Sequence, residues 1–235
     1  ATSSSNFPTT SGAYDTSRDG GSDDVFVSKL DGNLSAADTT APTVSLNAVT
    51  SPTNVASQTI TGTVEAGATV SVATNTAASD GAATVSGTAW SYTITGLAEG
   101  ANGITVTATD TAGNTATATG SITLDTTAPT VSLNAVTSPT KVTSQTITGV
   151  VEAGATVSVA TNTAASDGSA TVSGTTWSYT ITGLVEGANG ITVTATDTAG
   201  NTATATGSIT LDTASPVVAT LQVNGGAVLT TSRTV

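Results

Sequence analysis

The chain has 235 residues, a formal charge of −12 from 16 acidic against 4 basic side chains, and no cysteine, histidine or methionine. That balance offers no basic footprint for a nucleic acid or an anionic membrane. The missing residue types remove disulfides, thiolate or imidazole metal ligands, and every Cys- or His-based nucleophile. No apolar run approaches the roughly 18 residues of a membrane-spanning helix, and no secretory leader opens the sequence, although a mature or trimmed product would have lost one. What remains for catalysis is a carboxylate pair or a Ser–Lys arrangement. The lysines are Lys29 and Lys141, and Lys141 is replaced by Asn54 in the other copy of the repeat described below. A lysine-dependent site therefore cannot belong to the repeat, and no enzyme is expected.

In chain order, residues 1–37 come first. The stretch FPTTSGAYDTSRDGGSDDVFVSKL holds a Gly/Asp-rich turn and then a short strand with Val25 and Val27 on one side. It resembles the end of a bacterial β-propeller-type repeat. One blade cannot bury its own faces, so this piece is expected to lean on preceding chain or on a neighbouring subunit.

From Ala41, and again from Ala128, the sequence runs APTVSLNAVTSPT, which sets a period of 87 residues. Seven of those 87 positions differ, among them Asn54/Lys141 and Thr63/Val150. Within a period, apolar residues alternate with Thr and Ser in short runs, the signature of half-buried strands. After an opening TVSL strand, Ile60, Gly62 and Val64 form one such set and Ala68, Val70 and Val72 the next. A short strand near AATV follows. Then come Trp90, Tyr92 and Ile94, next Ile104, Val106 and Ala108, and finally Ala116, Ala118, Ile122 and Leu124. Turns are expected at EAG (Glu65), SDG (Ser79), SG (Ser86), GANG (Gly100) and TAGN (Thr111). About seven short strands in some 90 residues, with no helical period, predict an all-β fold of tandem immunoglobulin-like β-sandwich modules in an elongated array. The expected division is 1–37 for the blade end, 38–124 for module 1, 125–211 for module 2, and 212–235 for the start of a third, incomplete module. Partial modules at both ends fit either a window cut from a longer protein or a fibre subunit completed by strands from its neighbours.

Trp90 with Tyr92, and Trp177 with Tyr179, supply the large aromatic mass of the modules. Sharing a strand face with Ile94, the first pair is expected in the core rather than on a glycan-stacking platform. The outward Thr and Ser positions read as a wet, uncharged sheet face, or as sites of O-glycosylation.

Strand alternation also places the acids. In a seven-strand sandwich the EAG loop and the DTAGN turn lie at the end where the chain enters. Asp38, Glu65 and Asp110 are thus expected to converge before module 1, and Asp125, Glu152 and Asp197 before module 2. Three like charges in one place call for neutralisation, and calcium, which accepts six to eight oxygen ligands, suits carboxylates better than zinc or magnesium. The competing reading is local. An Asp at the mouth of a turn accepts bonds from the following backbone, and Gly113 with Asn114 suits a positive-φ loop. Asp80 and Asp167, each before Gly, read as turn residues. Glu99 and Glu186 lie in a loop at the far end of each module with no evident partner, and a contribution to the following junction is the open alternative.

The combination of WSYTITGL, ATDTAGN and DTTAP resembles the bacterial Ig-like repeats strung in tandem through large surface adhesins and biofilm proteins, over residues 38–212. The resemblance implies rods and spacers on the bacterial cell exterior, with calcium often stiffening their junctions and neighbouring modules as the main partners. A Lys–Asn amide cross-link in each module, used by some surface adhesins, is excluded by Asn54 standing where module 2 has Lys141. The leading expectation is an extracellular stalk segment stiffened by calcium. The alternatives are a self-assembling filament subunit and, less favoured, a carbohydrate-binding module. An external surface or glycan ligand stays unassigned.

Overall fold

The computed structural model describes residues 37–217 and the two short strands Gln222–Val223 and Ala227–Val228. The blade end expected in residues 1–37 lies outside the described residues except for its last residue. Of the expected third module, residues 212–217 and the antiparallel pair Gln222–Val223 with Ala227–Val228 are described.

Module 1 contains β1 (Ser57–Thr63), β2 (Thr69–Thr74), β3 (Gly81–Ala82), β4 (Thr84–Ser86), β5 (Ala89–Thr95), β6 (Gly100–Thr109) and β7 (Thr115–Leu124). They form a three-stranded sheet in the order β1-β5-β4 and a four-stranded sheet in the order β3-β2-β6-β7. Module 2 repeats this with β8 (Ser144–Val150), β9 (Thr156–Thr161), β10 (Gly168–Ser169), β11 (Thr171–Ser173), β12 (Thr176–Thr182), β13 (Gly187–Thr196) and β14 (Thr202–Leu211). All strand pairs are antiparallel.

The alternating pattern acts as expected. Ile60, Trp90 and Ile94 of one sheet meet Val70, Val72, Ile104, Val106, Ala108 and Ile122 of the other, and all are buried. Trp90 is 2% exposed and its indole N–H donates to the Ser45 carbonyl at 3.0 Å, so its one polar group is satisfied inside the core. Tyr92 packs against the same core at its margin. Gly62 makes room for the indole, because a β-carbon there would come within 2.7 Å of two ring atoms. On the outward faces hydroxyls pair across strands, as between Thr59 and Thr93 at 2.8 Å.

Three sequence expectations need correction. TVSL does not form a full strand: it is held by a bridge from Val44 to Val64 and by the Ser45 and Asn47 amides donating to Thr63 and Thr61. The AATV region is divided, because β3 pairs with β2 in one sheet and β4 with β5 in the other, so the chain changes sheets at Ala83. GANG is not a turn but the start of β6. Asn102 there is fully buried: its amide donates to the Ala98, Gly100 and Ile122 carbonyls at 2.8, 3.0 and 3.3 Å. Its oxygen accepts from the Ala98 amide at 2.9 Å and the Thr76 hydroxyl at 2.8 Å. Asn102 therefore shapes the preceding loop from within the strand.

Chain direction also matters for the ends of each module. Residues 51–53 run beside the end of β7, with a parallel bridge from Thr53 to Leu124. Thr53 donates to Thr123, and Asp125 donates back to Thr53, at 3.0 and 2.9 Å. The last core strand thus hands the chain to the linker with its backbone bonds already made.

Candidate functional site: the module junction

The leading end of each module carries the acids singled out from sequence. In module 1, residues 110–114 close a loop between β6 and β7, with Gly113 at φ 94°. Asp110 Oδ1 accepts from the Ala112 and Asn114 amides at 2.9 and 2.8 Å, and Oδ2 accepts from the Asn114 side-chain amide at 2.9 Å. The same Asn114 amide group donates to the Asp38 carbonyl oxygen at 3.0 Å. Asp38's own carboxylate accepts from the Thr40 amide at 2.9 Å, and Glu65 accepts from the Thr43 amide at 3.4 Å.

Module 2 repeats the arrangement. Asp197 is tied to Asn201 by two bonds of 2.8 Å, and Asn201 donates to the Asp125 carbonyl at 2.8 Å. Asp125's carboxylate takes the Thr127 amide at 3.0 Å and Glu152 takes the Thr130 amide at 3.4 Å.

The bonds to the turn set the electrostatics. The Asn114 side chain is the largest influence on Asp110 and lowers its pKa; burial works the other way, and the Asn114, Ala112 and Gly113 amides add to the lowering. For Asp197 burial is the largest single influence and raises the pKa. The bonds from the Asn201 side chain and from the Asn201, Gly200 and Ala199 amides outweigh it, leaving the carboxyl below its ordinary value of 3.8.

The loops therefore meet at one end, as strand alternation requires, but their carboxylates do not meet. Among the described residues, no group of three or more acidic side chains is placed to hold a metal ion. Asp38, Glu65 and Asp110 in module 1, and Asp125, Glu152 and Asp197 in module 2, each accept a backbone amide of their own or an adjacent loop. Both oxygens of Asp110 and Asp197 are already engaged. Calcium needs six to eight oxygens at about 2.3–2.6 Å, and this donor set does not fit it. Like charge is relieved by separation and by N–H donors.

The trailing end supplies residues that sequence reasoning left without a partner. Glu99 lies in the loop fixed by Asn102 and accepts from the Thr126 amide at 3.2 and 3.3 Å and from the Thr126 hydroxyl at 2.8 Å. Glu186 holds Thr213 in the same way, at 3.2, 3.3 and 2.8 Å. The Asn54 amide reaches across to the Ala199 carbonyl of module 2 at 3.2 Å. Linker, trailing loops and the next module's turn thus form one hydrogen-bonded junction.

Elsewhere, neither aromatic pair makes a flat exposed platform. Trp177, like Trp90, is 2% exposed. Two shallow depressions in module 2, one beside Val172 and one beside Trp177, are lined without any charged side chain.

Two antiparallel sheets closed over one core, repeated with a short gripped linker, define a tandem Ig-like β-sandwich protein. Residues 31–126 and 134–213 match the bacterial Ig-like domain, and the chain belongs to that family. No curated protein matches it. Among solved structures it is similar to the fibronectin(III)-like modules of Clostridium thermocellum CbhA, at 18% identity and a TM-score of 0.47, over 72% of this chain and 94% of that one. It is also similar to a structure described as bearing on host cell surface retention of a 1.5-MDa bacterial ice-binding adhesin, at 26% identity and TM-score 0.44, over 73% of this chain and 65% of that one. A third is the BSP domain of a biofilm-associated protein, at 19% identity and TM-score 0.28, over 74% of this chain and 30% of that one.

Proposed function

We propose that this chain is a stalk or spacer segment of a bacterial cell-surface adhesin, exposed outside the cell and holding another part of that protein away from it. The observation that carries the reading is the near-identity of two Ig-like modules across an 87-residue period, joined by a linker bonded to both of them. A spacer needs equal units and a defined joint; it does not need a pocket. The charge of −12 with only four basic residues keeps identical neighbours apart in solution. The adhesin and biofilm contexts named for the similar structures agree with this reading.

Antibodies raised against the modules test it directly. Intact source cells should be labelled without permeabilisation, and the purified chain should sediment as a monomer and give no signal on a glycan array. Labelling only after the cells are opened would overturn the surface assignment. Concentration-dependent fibres would replace the spacer by a filament subunit, and glycan binding would replace it by a carbohydrate-binding module.

A further inference from the structure

We propose that the junction between the two modules is a metal-independent docking interface, in which Glu99 and Asn201 grip one linker peptide from opposite modules and fix the following module in place. The inference deepens the spacer reading and rests on it for its biological purpose.

The argument starts from a single peptide unit, the one joining Asp125 to Thr126. Its carbonyl oxygen accepts from Asn201 of module 2 at 2.8 Å, and its N–H donates to Glu99 of module 1 at 3.2 Å. A peptide unit is planar, so fixing both its polar groups fixes the plane. The residue before is held as well, since the Asp125 amide donates to the Thr53 carbonyl at 2.9 Å. The Asn54 to Ala199 bond then connects the modules without passing through the linker. These contacts use three carbonyls, a carboxylate, an amide side chain and backbone amides. None of them requires an ion.

Each gripping group is itself held. Asn201 is oriented by its 2.8 Å bond to Asp197, and the loop carrying Glu99 is shaped by the buried Asn102. The pattern of differences between the copies agrees. Thr53, Glu99, Asn102, Asn114 and Asp125 have identical counterparts in Thr140, Glu186, Asn189, Asn201 and Asp212. The substitutions Asn54/Lys141, Ala56/Thr143 and Ala98/Val185 fall in the surrounding trailing loops. Asn54 takes part through its backbone amide, a group that the lysine at the equivalent position 141 also carries.

The absence of cysteine allows a clean distance measurement on the full 235-residue chain. Ser86→Cys and Ser173→Cys place one spin label on an exposed strand position of each module. Pulsed electron resonance then reads the distribution of distances between them. The grip predicts a narrow distribution that is the same in calcium and in chelator, and its loss in the double variant Glu99→Ala with Asn201→Ala. The control variant, Glu186→Ala with Asn114→Ala, removes equivalent groups away from this junction and should keep the narrow distribution. Narrowing only on calcium addition, or a native distribution in the Glu99/Asn201 variant, would overturn the proposal. Equal broadening in the control variant would also overturn it, by tracing the effect to the modules. None of these outcomes bears on where the protein sits in the cell, so the spacer reading stands or falls separately.

Discussion

Glu99 and Asn201, 102 positions apart in the chain, bond to the N–H and the C=O of the same peptide unit. The protection of individual linker amides follows from this. The Asp125 and Thr126 amides should exchange slowly with solvent although both residues lie outside any strand. In Glu99→Ala, Thr126 should lose its protection while Asp125, bonded to Thr53, keeps most of its own. Amide exchange followed by NMR distinguishes the two; equal loss at both would mean that the linker opens as one piece.

The core prediction concerns the indole. Trp90→Ala removes a 2% exposed ring and leaves the Ser45 carbonyl without its donor. The expected cost is about 3–5 kcal/mol, a large share of the stability of a domain of this size. Thermal unfolding should show module 1 melting early while module 2, with Trp177 intact, keeps its own transition.

Asn102 allows a sharper test of the loop before β6. Its five bonds hold three carbonyls, one amide and one hydroxyl. Asn102→Ala strips partners from groups shielded from water and should cost at least about 2 kcal/mol. It should also displace Glu99 and weaken the hold on Thr126. A variant with unchanged melting and unchanged Thr126 protection would contradict both roles.

Acid should loosen the leading turns. Asp110 and Asp197 have depressed pKa values in the folded protein. Their stabilising contribution is therefore complete above the unfolded carboxyl value, near 3.9, and is lost as pH falls through the lower folded value. Melting temperature should drop from just below pH 4 downward. Replacing Asn114 and Asn201 together by Ala should flatten that part of the profile, which a pH series of thermal melts would show.

Much of the fold was legible because burial here follows a period of two. Ile60, Val70, Val72, Ile94, Ile104 and Val106 all alternate with Thr or Ser, and all are buried. The misread segments are those where local chemistry and tertiary role diverge. Gly100 and Asn102 look like turn residues, yet Asn102 spends its side chain inside the module bonding the loop behind it. The AATV segment gave no sign that two sheets would share it. The convergence of loops at one end could be reasoned from strand direction, but the direction of each carboxylate could not, because neighbouring amides decide it. The sequence marks Asn114 for its turn alone, and its second task on the linker carbonyl, shared by its counterpart Asn201, depends on a contact 76 residues away. Glu99 offered its recurrence as Glu186 and its place at the end facing the following junction, but nothing in the sequence names Thr126 as the group it holds.

The parallel bridge from Thr53 to Leu124 has a mechanical meaning. Tension applied through Asp38 and Asp125 draws the first segment of the module backwards along its last strand. The amide bonds from Thr53 to Thr123 and from Asp125 to Thr53, and the bond from the Thr123 amide to the Ser51 hydroxyl at 2.9 Å, then resist sliding together instead of parting one by one. Each module fastens the close of its first segment beside its last strand, so a pull along the thread must break that fastening before it can unravel the sandwich.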